Sequence, residues 1–459
     1  MNIKKTILAA ALAVAGSALA AVSPEEAKQL GSTLTPWGAI KAGNKEGTIP
    51  PYEGGLPVTT SPAGFVKDSG HWTDPYPDEK PLYSITAKNM DQYADKLSET
   101  TKVLLQRFPT FHVDVYPSHR VANYPQFYNE NSIKNATRCK TVKDGLALSG
   151  CHGGAPFPIP KTGNEQMWNV QLVYKPTMHI KSMPVYVDAA GSPVIAAIQD
   201  VWITSQYYDQ TFTPETYEAA GSWFFITSVI QKYPPRIAGD GNLFYWGTDP
   251  VGYPNKSWTY QQGNRRIRSL PDAQYDFPIL VSGGAQYYDE VYMFTGKMDR
   301  FDWKLLGKKE MIIPYNNYRA NETSMEKMAA VGGGHHPNPD VLRWELHRVN
   351  VVEGTLKPGT RHAYSKRRYY LDEDIPAAGM ADAWDHAGKP FRGYFSLAFW
   401  EYDAQYSYAL PSIEYDLSTG IYFYTSTIAD HSKSGVWNNE PAPPYTFYTP
   451  EGLQRRSAR

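Results

Sequence analysis

Leu342-Arg343-Trp344-Glu345-Leu346-His347 decides the fold. Apolar and polar residues alternate strictly in it, and a period of two belongs to a β-strand rather than to a helix. One face of that strand carries Leu342, Trp344 and Leu346, and the other carries Arg343, Glu345 and His347. To either side the same reading predicts strands over 184–188 and 194–208 around an Ala189-Ala190-Gly191 turn, then over 223–232 and 242–246. A hairpin follows over 257–261 and 265–270 around Gln262-Gly263-Asn264. Further strands are expected over 302–315, 341–356, 361–371, 390–408, 413–415 and 421–426. Strands joined by short turns imply an antiparallel meander. Long aromatic strands in this number imply a sheet that curls into a half-barrel. In Tyr394-Phe395-Ser396-Leu397-Ala398-Phe399-Trp400 the alternation fails, so both faces there are expected to be covered.

The fold class is therefore mainly β: one large curled antiparallel sheet with a few lid helices. Its apolar concave face either fills with its own side chains or holds a ligand. The composition agrees with a folded chain and narrows its partners. Lys+Arg 45 against Asp+Glu 46 gives a formal net charge of −1, too balanced for a general grip on nucleic acid. Aromatic residues make up 14% of the 459, too many for a disordered chain.

Residues 1–20 read as a signal peptide. Lys4 and Lys5 precede an apolar run over 7–15, and Ala18-Leu19-Ala20 is a small-x-small cleavage site. That address points to the periplasm. Residues 21–85 are dense in Gly and Pro and read as an extended N-terminal strap, with a short helix over 24–30 and with Trp37, Tyr52, Trp72 and Tyr76 as anchors. The remainder, 86–459, is expected to form one curled-sheet domain. Thr86 and Ser98 are placed to cap helices over 87–96 and 99–108. A third helix over 164–174 competes with a strand, because Trp168, Val170, Leu172 and Tyr174 also alternate. Cys139 and Cys151 enclose a short loop, and an even pair in an oxidising compartment predicts a disulfide worth about 3 kcal/mol. A metal or redox pair would be the other reading, but there is no C-x-x-C.

No motif names a reaction. A P-loop, a G-x-S-x-G elbow and an H-E-x-x-H helix are all missing from the sequence. His335-His336, His152 and Asp430-His431-Ser432 read as loop residues, and Asp372-Glu373-Asp374 as a solvated turn. No catalytic residue, metal or cofactor is expected. Binding has better candidates. Trp202, Trp223, Tyr245 and Trp246 belong to an aromatic stripe that could wall an apolar cavity. Arg266 and Arg268 share one face of a strand and could meet a polar head. Lys366-Arg367-Arg368 is a second basic cluster.

Several runs resemble a known family. They are Tyr116-Pro117-Ser118-His119-Arg120, Asn135-Ala136-Thr137-Arg138, 153–160, 301–310, Pro314-Tyr315-Asn316-Asn317, 345–359 and Tyr369-Tyr370-Leu371-Asp372-Glu373-Asp374. Together they are similar to the bacterial domain-of-unknown-function family 1329. That resemblance implies the fold of the outer-membrane lipoprotein-sorting (LolA/LolB-like) periplasmic carriers, a curled sheet lidded by helices. It also implies envelope transport beside an inner-membrane exporter of resistance-nodulation-division type or an outer-membrane protein. It assigns no ligand residues. The expected function is a periplasmic carrier of a lipid, acylated or other apolar molecule. An envelope hydrolase for an ester or glycan and a structural adaptor of an export complex are the alternatives, the adaptor docking through the strap and Arg455-Arg456. The carrier reading requires an open hollow within the sheet.

Overall fold

The computed structural model describes residues 22–457 other than 272, 273, 330–333, 431–433 and 439. The proposed signal peptide lies outside the described residues, as does part of the 332–336 loop and of the 430–432 run. A single mixed sheet of 17 strands dominates, and it is not closed. Thirteen of its strands form a continuous series. In chain order they are β1 (Met178–Val187), β2 (Ile198–Thr204), β3 (Trp223–Tyr233), β4 (Gly241–Gly247), β5 (Lys256–Gln261) and β6 (Arg266–Ser269). Then come β7 (Phe301–Pro314), β8 (Trp344–Leu356), β9 (Lys366–Asp372), β10 (Gly379–Trp384), β11 (Pro390–Ser396), β12 (Ser412–Asp416) and β13 (Tyr422–Thr427).

Two meanders, β1 to β6 and β7 to β13, meet where β13 pairs antiparallel with β1. The outer strands of the series are β6 and β7. Strands Tyr83–Ile85, Val113–Tyr116, Pro193–Ile195 and Gly435–Trp437 complete the seventeen. The pairing of Val113–Tyr116 with the start of β8 is parallel, which makes the sheet mixed rather than purely antiparallel. Curling brings β7 into contact with β11, four places along the series.

Local structure follows the sequence in most places. Ser98 accepts a hydrogen bond from Thr101 N–H at 3.1 Å and caps the helix Glu99–Arg107. The stretch before it is a 3-10 helix, Met90–Lys96, without the Thr86 cap. The ambiguous third helix forms as Gly163–Gln171, because Thr162 and Glu165 close a capping box. The expected long strand over 390–408 is broken into β11, Phe399–Glu401 and Tyr406–Tyr408. Sequence patterning misses the longest helix among the described residues, Gln126–Arg138. Its inward face is Tyr128, Ser132, Asn135 and Ala136, half of it polar, so no apolar stripe marks it. Cys139 and Cys151 form the expected disulfide.

Residues 22–82 run over the body with one short helix, Pro24–Ala27. Trp37 and Trp72 are buried, and Trp37 packs edge-on against Tyr52 and Tyr124. Helix Glu99–Arg107 lies tight against the sheet. A Cβ on Gly393 would stand 2.2 Å from Thr100 Cγ2, and Asp382 accepts the Glu99 and Thr100 N–H groups at 2.8 and 2.9 Å. The main core runs through the whole sheet. A smaller one, with Trp223, Ile226, Leu243, Tyr260 and Leu453, lies beneath the C-terminal helix Pro450–Ser457.

Candidate functional site

Strand β9 carries charge on both faces. Its register with β8 and β10 is regular, so Arg367, Tyr369 and Leu371 take one face and Arg368, Tyr370 and Asp372 the other. Residues 284–298 cover the first face. Arg367 donates from Nη1 to Asp289 at 2.7 Å, and His362 Nε2 lies 3.1 Å from the same carboxylate oxygen. Arg392 of β11 donates to the Gly284 and Ala285 carbonyls at 2.6 and 2.9 Å, packs over Tyr287 and stands 3.7 Å from Glu290. Tyr364 donates its hydroxyl to Glu290, and Gln286 donates to Glu414 at 2.6 Å. Burial alone would raise the Asp289 carboxyl, but Arg367 and His362 outweigh it and hold the group below the usual carboxylate range. Burial pushes Glu290 up and Glu414 up strongly.

The covering segment leaves this face incompletely bonded. A cavity of about 20 Å³ lies among Glu290, Met293, Arg367, Tyr369, Arg392 and Tyr394, room for roughly one water. Arg367 Nε, Arg392 Nε, the Tyr369 hydroxyl and Asp289 Oδ1 are buried without a hydrogen-bond partner in the protein. The segment's backbone is strained as well. Tyr292 and Met293 hold φ of 52° and 70°, in a region that costs a non-glycine residue about 1–3 kcal/mol. Gly283, Gly284 and Gly296 stand to either side of this pair at φ of 63°, 89° and 130°. The expected open hollow is thus occupied: Met293, Phe294 and Met298 are buried in it.

The opposite face of β9 holds a second cluster, made from the runs that carried the family resemblance. His347 lies 3.0 Å from Glu345 and 3.2 Å from Asp372, one carboxylate on each ring nitrogen, and stacks on Tyr315 at 3.9 Å. Burial opposes its charge, but Asp372 and Glu345 outweigh burial and push it up to about 9. Glu345 also accepts from Arg343, Asn316 and the His119 N–H. Arg120 grips Asp374 through Nε and Nη2 at 2.7 and 2.9 Å and donates to the Ile40 carbonyl. Arg348 donates to the Ala42 carbonyl, and Glu373 accepts the Ile40 N–H. The cluster therefore fastens the strap to the sheet. Asp372, Glu373 and Asp374 are buried here, which corrects the expectation of a solvated turn: Arg120, Arg348 and His347 pair with them inside the protein.

The predicted binding residues do not come together. Trp202, Trp223 and Tyr245 face the smaller core, where Trp223 meets Tyr245 edge-on at 5.3 Å and Trp202 stacks on His179 at 4.4 Å. Trp246 faces the main core beside Phe225 and Phe244. Arg266 and Arg268 are exposed on the outer strand β6 without a carboxylate partner among the described residues. Sequence reasoning missed Arg367 and Arg392 as interior groups. The signal was present: each shares its strand parity with buried aromatic residues, Tyr369 and Tyr394.

Surface clefts lie elsewhere on the described residues. One of about 230 Å³ lies between the Leu97–Lys102 region and Leu306, Lys309, Met311, Val351 and Arg368. Another, about 330 Å³, is lined by Ser69, His71, Trp72, Asp74, Arg319 and Glu322 among others. In it both ring nitrogens of His71 are engaged, by Glu322 and by the Ser434 carbonyl, and Ser69 bonds the His71 backbone rather than its ring. His152 bonds the Gln206 carbonyl, and burial lowers its pKa. His336 sits between Thr110 and the Pro337 carbonyl. Among the described residues no helix is long and apolar enough to cross a membrane.

Comparison with known proteins agrees with the motif reading. The chain is 36% identical over 451 residues to an uncharacterized protein of Pseudomonas aeruginosa, covering 97% of this chain and 96% of that one. Among solved structures it is similar to a putative outer membrane lipoprotein-sorting protein domain from Vibrio parahaemolyticus. That likeness has a TM-score of 0.42 and 12% identity over 63% of this chain and 97% of that one. A DUF1329 family protein from Desulfovibrio piger gives a TM-score of 0.41 and 11% identity over 62% and 93%. The LolA superfamily protein from Nitrosomonas europaea gives 0.35 and 8% over 63% and 98%. The model of the family described as "Protein of unknown function (DUF1329)" matches residues 84–454, and the chain belongs to that family.

Proposed function

We propose that this chain is a periplasmic binding protein of the carrier kind. Because the expected hollow is filled, it would take the apolar part of a lipid or acylated molecule only by displacing residues 284–298 from the sheet face they cover. The observation that carries the reading is the under-bonded state of that face. Two buried arginines keep unpartnered atoms beneath a covering segment whose own backbone is strained. Unpartnered polar atoms occur elsewhere in the core as well; what marks this face is that buried guanidinium nitrogens lie unpartnered beneath a segment whose own backbone is strained. Transfer of a hydrocarbon tail from water would supply about 25 cal/mol per Å² toward displacing the segment. Hand-off to an exporter of resistance-nodulation-division type or to an outer-membrane protein would complete the role.

The test is solvent extraction and mass spectrometry of the protein purified from the periplasm, with titration of a fluorescent fatty-acid probe. A co-purifying lipid or saturable probe binding is the expected result. Repeated absence of both overturns the reading. The occupied interior favours one second reading, a structural adaptor of an export complex. In that case a membrane partner would co-purify while no apolar probe bound.

A further inference from the structure

We infer that Arg367 and Arg392 form the head-group site for an anionic amphiphile, and that Asp289 and Glu290 of the chain's own segment 284–298 occupy it when no ligand is bound. The inference rests on the carrier reading and adds the ligand's charge, the residues that read it and the state that must change.

Four observations on the covered face converge. Arg367 and Arg392 are 2% and 6% exposed, so two guanidinium groups lie buried on one sheet face, and each is met by acidic side chains of the segment. A buried cation is tolerated only beside an anion. Asp416 of β12 stays 3.5 Å from Arg392, but among the described residues Arg367 pairs with Asp289 alone, so whatever replaces the segment must bring negative charge to Arg367. The segment presents the parts of an amphiphile in order. Asp289 and Glu290 carry the acid groups, and Met293, Phe294 and Met298 are the buried apolar tail. It does not complete the bonding, because Arg367 Nε, Arg392 Nε and the Tyr369 hydroxyl line the cavity region as donors without a protein acceptor. A carboxylate or phosphate offers several acceptor lone pairs and suits a fork of guanidinium donors.

The space is too small for a ligand to enter beside the segment. About 20 Å³ holds a water, not a head group, so binding must displace Asp289 and Glu290. The backbone permits that motion. Glycines with positive φ stand at 283, 284 and 296, on both sides of the acidic pair, and such positions can absorb the dihedral change of a hinge. Beyond the first hinge, Leu280 is 90% exposed. Arg392 ties the hinge itself through the Gly284 and Ala285 carbonyls. A competing anion on Arg392 would therefore loosen the hinge and vacate the site in one event.

The chemistry shared by fatty acids and phospholipids is an acyl chain ending in anionic oxygens, and the probes separate them. The mature protein is titrated with cis-parinaric acid and with its methyl ester, which has the same tail and no charge. The acid should bind at least tenfold more tightly, and its addition should raise deuterium uptake in peptides spanning 284–298. Competition by dodecanoate against dodecyl phosphate then tells a carboxylate head from a phosphate head. Arg392→Gln should bring the acid and ester affinities within about twofold, and Asp289→Asn should tighten acid binding several-fold. If either variant fails to fold, the exchange measurement on the unaltered protein still decides. Equal binding of acid and ester, or acid binding with no change in exchange over 284–298, overturns the inference while leaving the carrier reading standing. Binding of neither probe overturns both.

Discussion

The two faces of β9 carry buried charge in opposite conditions. On the Asp372 face the ionic groups are close to saturated. Both nitrogens of His347 meet carboxylates, and the Arg120 fork is spent on Asp374 and on strap carbonyls. The exceptions are Arg343 Nη1, Asn316 Oδ1 and Asp372 Oδ2, the last of which still faces His347 at 3.2 Å. On the Arg367 face the charges are paired but under-bonded, and the backbone that supplies the acids is strained. The same interior medium surrounds both, so the difference lies in what each cluster is built to do. A saturated cluster holds one arrangement, here the strap against the sheet. An unsaturated one leaves an alternative occupant something to gain.

The largest effect should come from the saturated side. Arg120→Ala strands Asp374 in the core, and breaking a buried pair in this way costs about 3–5 kcal/mol. Urea denaturation should show that loss, with faster amide exchange over 39–44. Unchanged stability would mean that the strap is held by its aromatic anchors alone. Next is a pH effect. The folded pKa of His347 is raised to about 9, so its contribution is complete below about pH 6.5 and is lost as pH rises through 9. That amounts to on the order of 3 kcal/mol. His347→Gln should remove this alkaline loss from the pH–stability curve. Glu290 and Glu414 on the other face are also raised, so by the same sign their contribution fades as pH rises, but from the ordinary carboxylate range upward rather than from about pH 6.5.

A smaller change sharpens the contrast from the other side. At Gly284, φ is 89° and a Cβ would meet nothing within 4 Å, so Gly284→Ala isolates the backbone cost, about 1–2 kcal/mol. Thermal melts should show it, together with altered exchange over 284–298 and unchanged exchange over 39–44. The smallest effect belongs to the exposed arginines. Arg266→Gln and Arg268→Gln should alter stability by less than about 0.5 kcal/mol and leave probe binding unchanged. A loss of binding there would move the head-group site from Arg367 and Arg392 to the outer strand.

Much of this protein is written locally. The alternation of 342–347 identifies a strand, Ser98 starts a helix, and Cys139 and Cys151 sit close enough along the chain to pair. The family is legible too, from runs that span most of the length. Each of these depends on neighbours a few residues apart, and periodicity, capping and short loops are properties of the chain itself. What covers a face is not. The aromatic stripe from Trp202 to Trp246 is continuous in reading but divided between two cores, since strand parity sends Tyr245 and Trp246 to opposite sides. Arg367 finds Asp289 across 78 positions, and Arg120 finds Asp374 across 254. Only tertiary structure decided that the hollow is filled from within, and by acids placed on two buried arginines. Burial and charge pairing are settled by which distant segments meet, and a single sequence records the segments without recording their meeting.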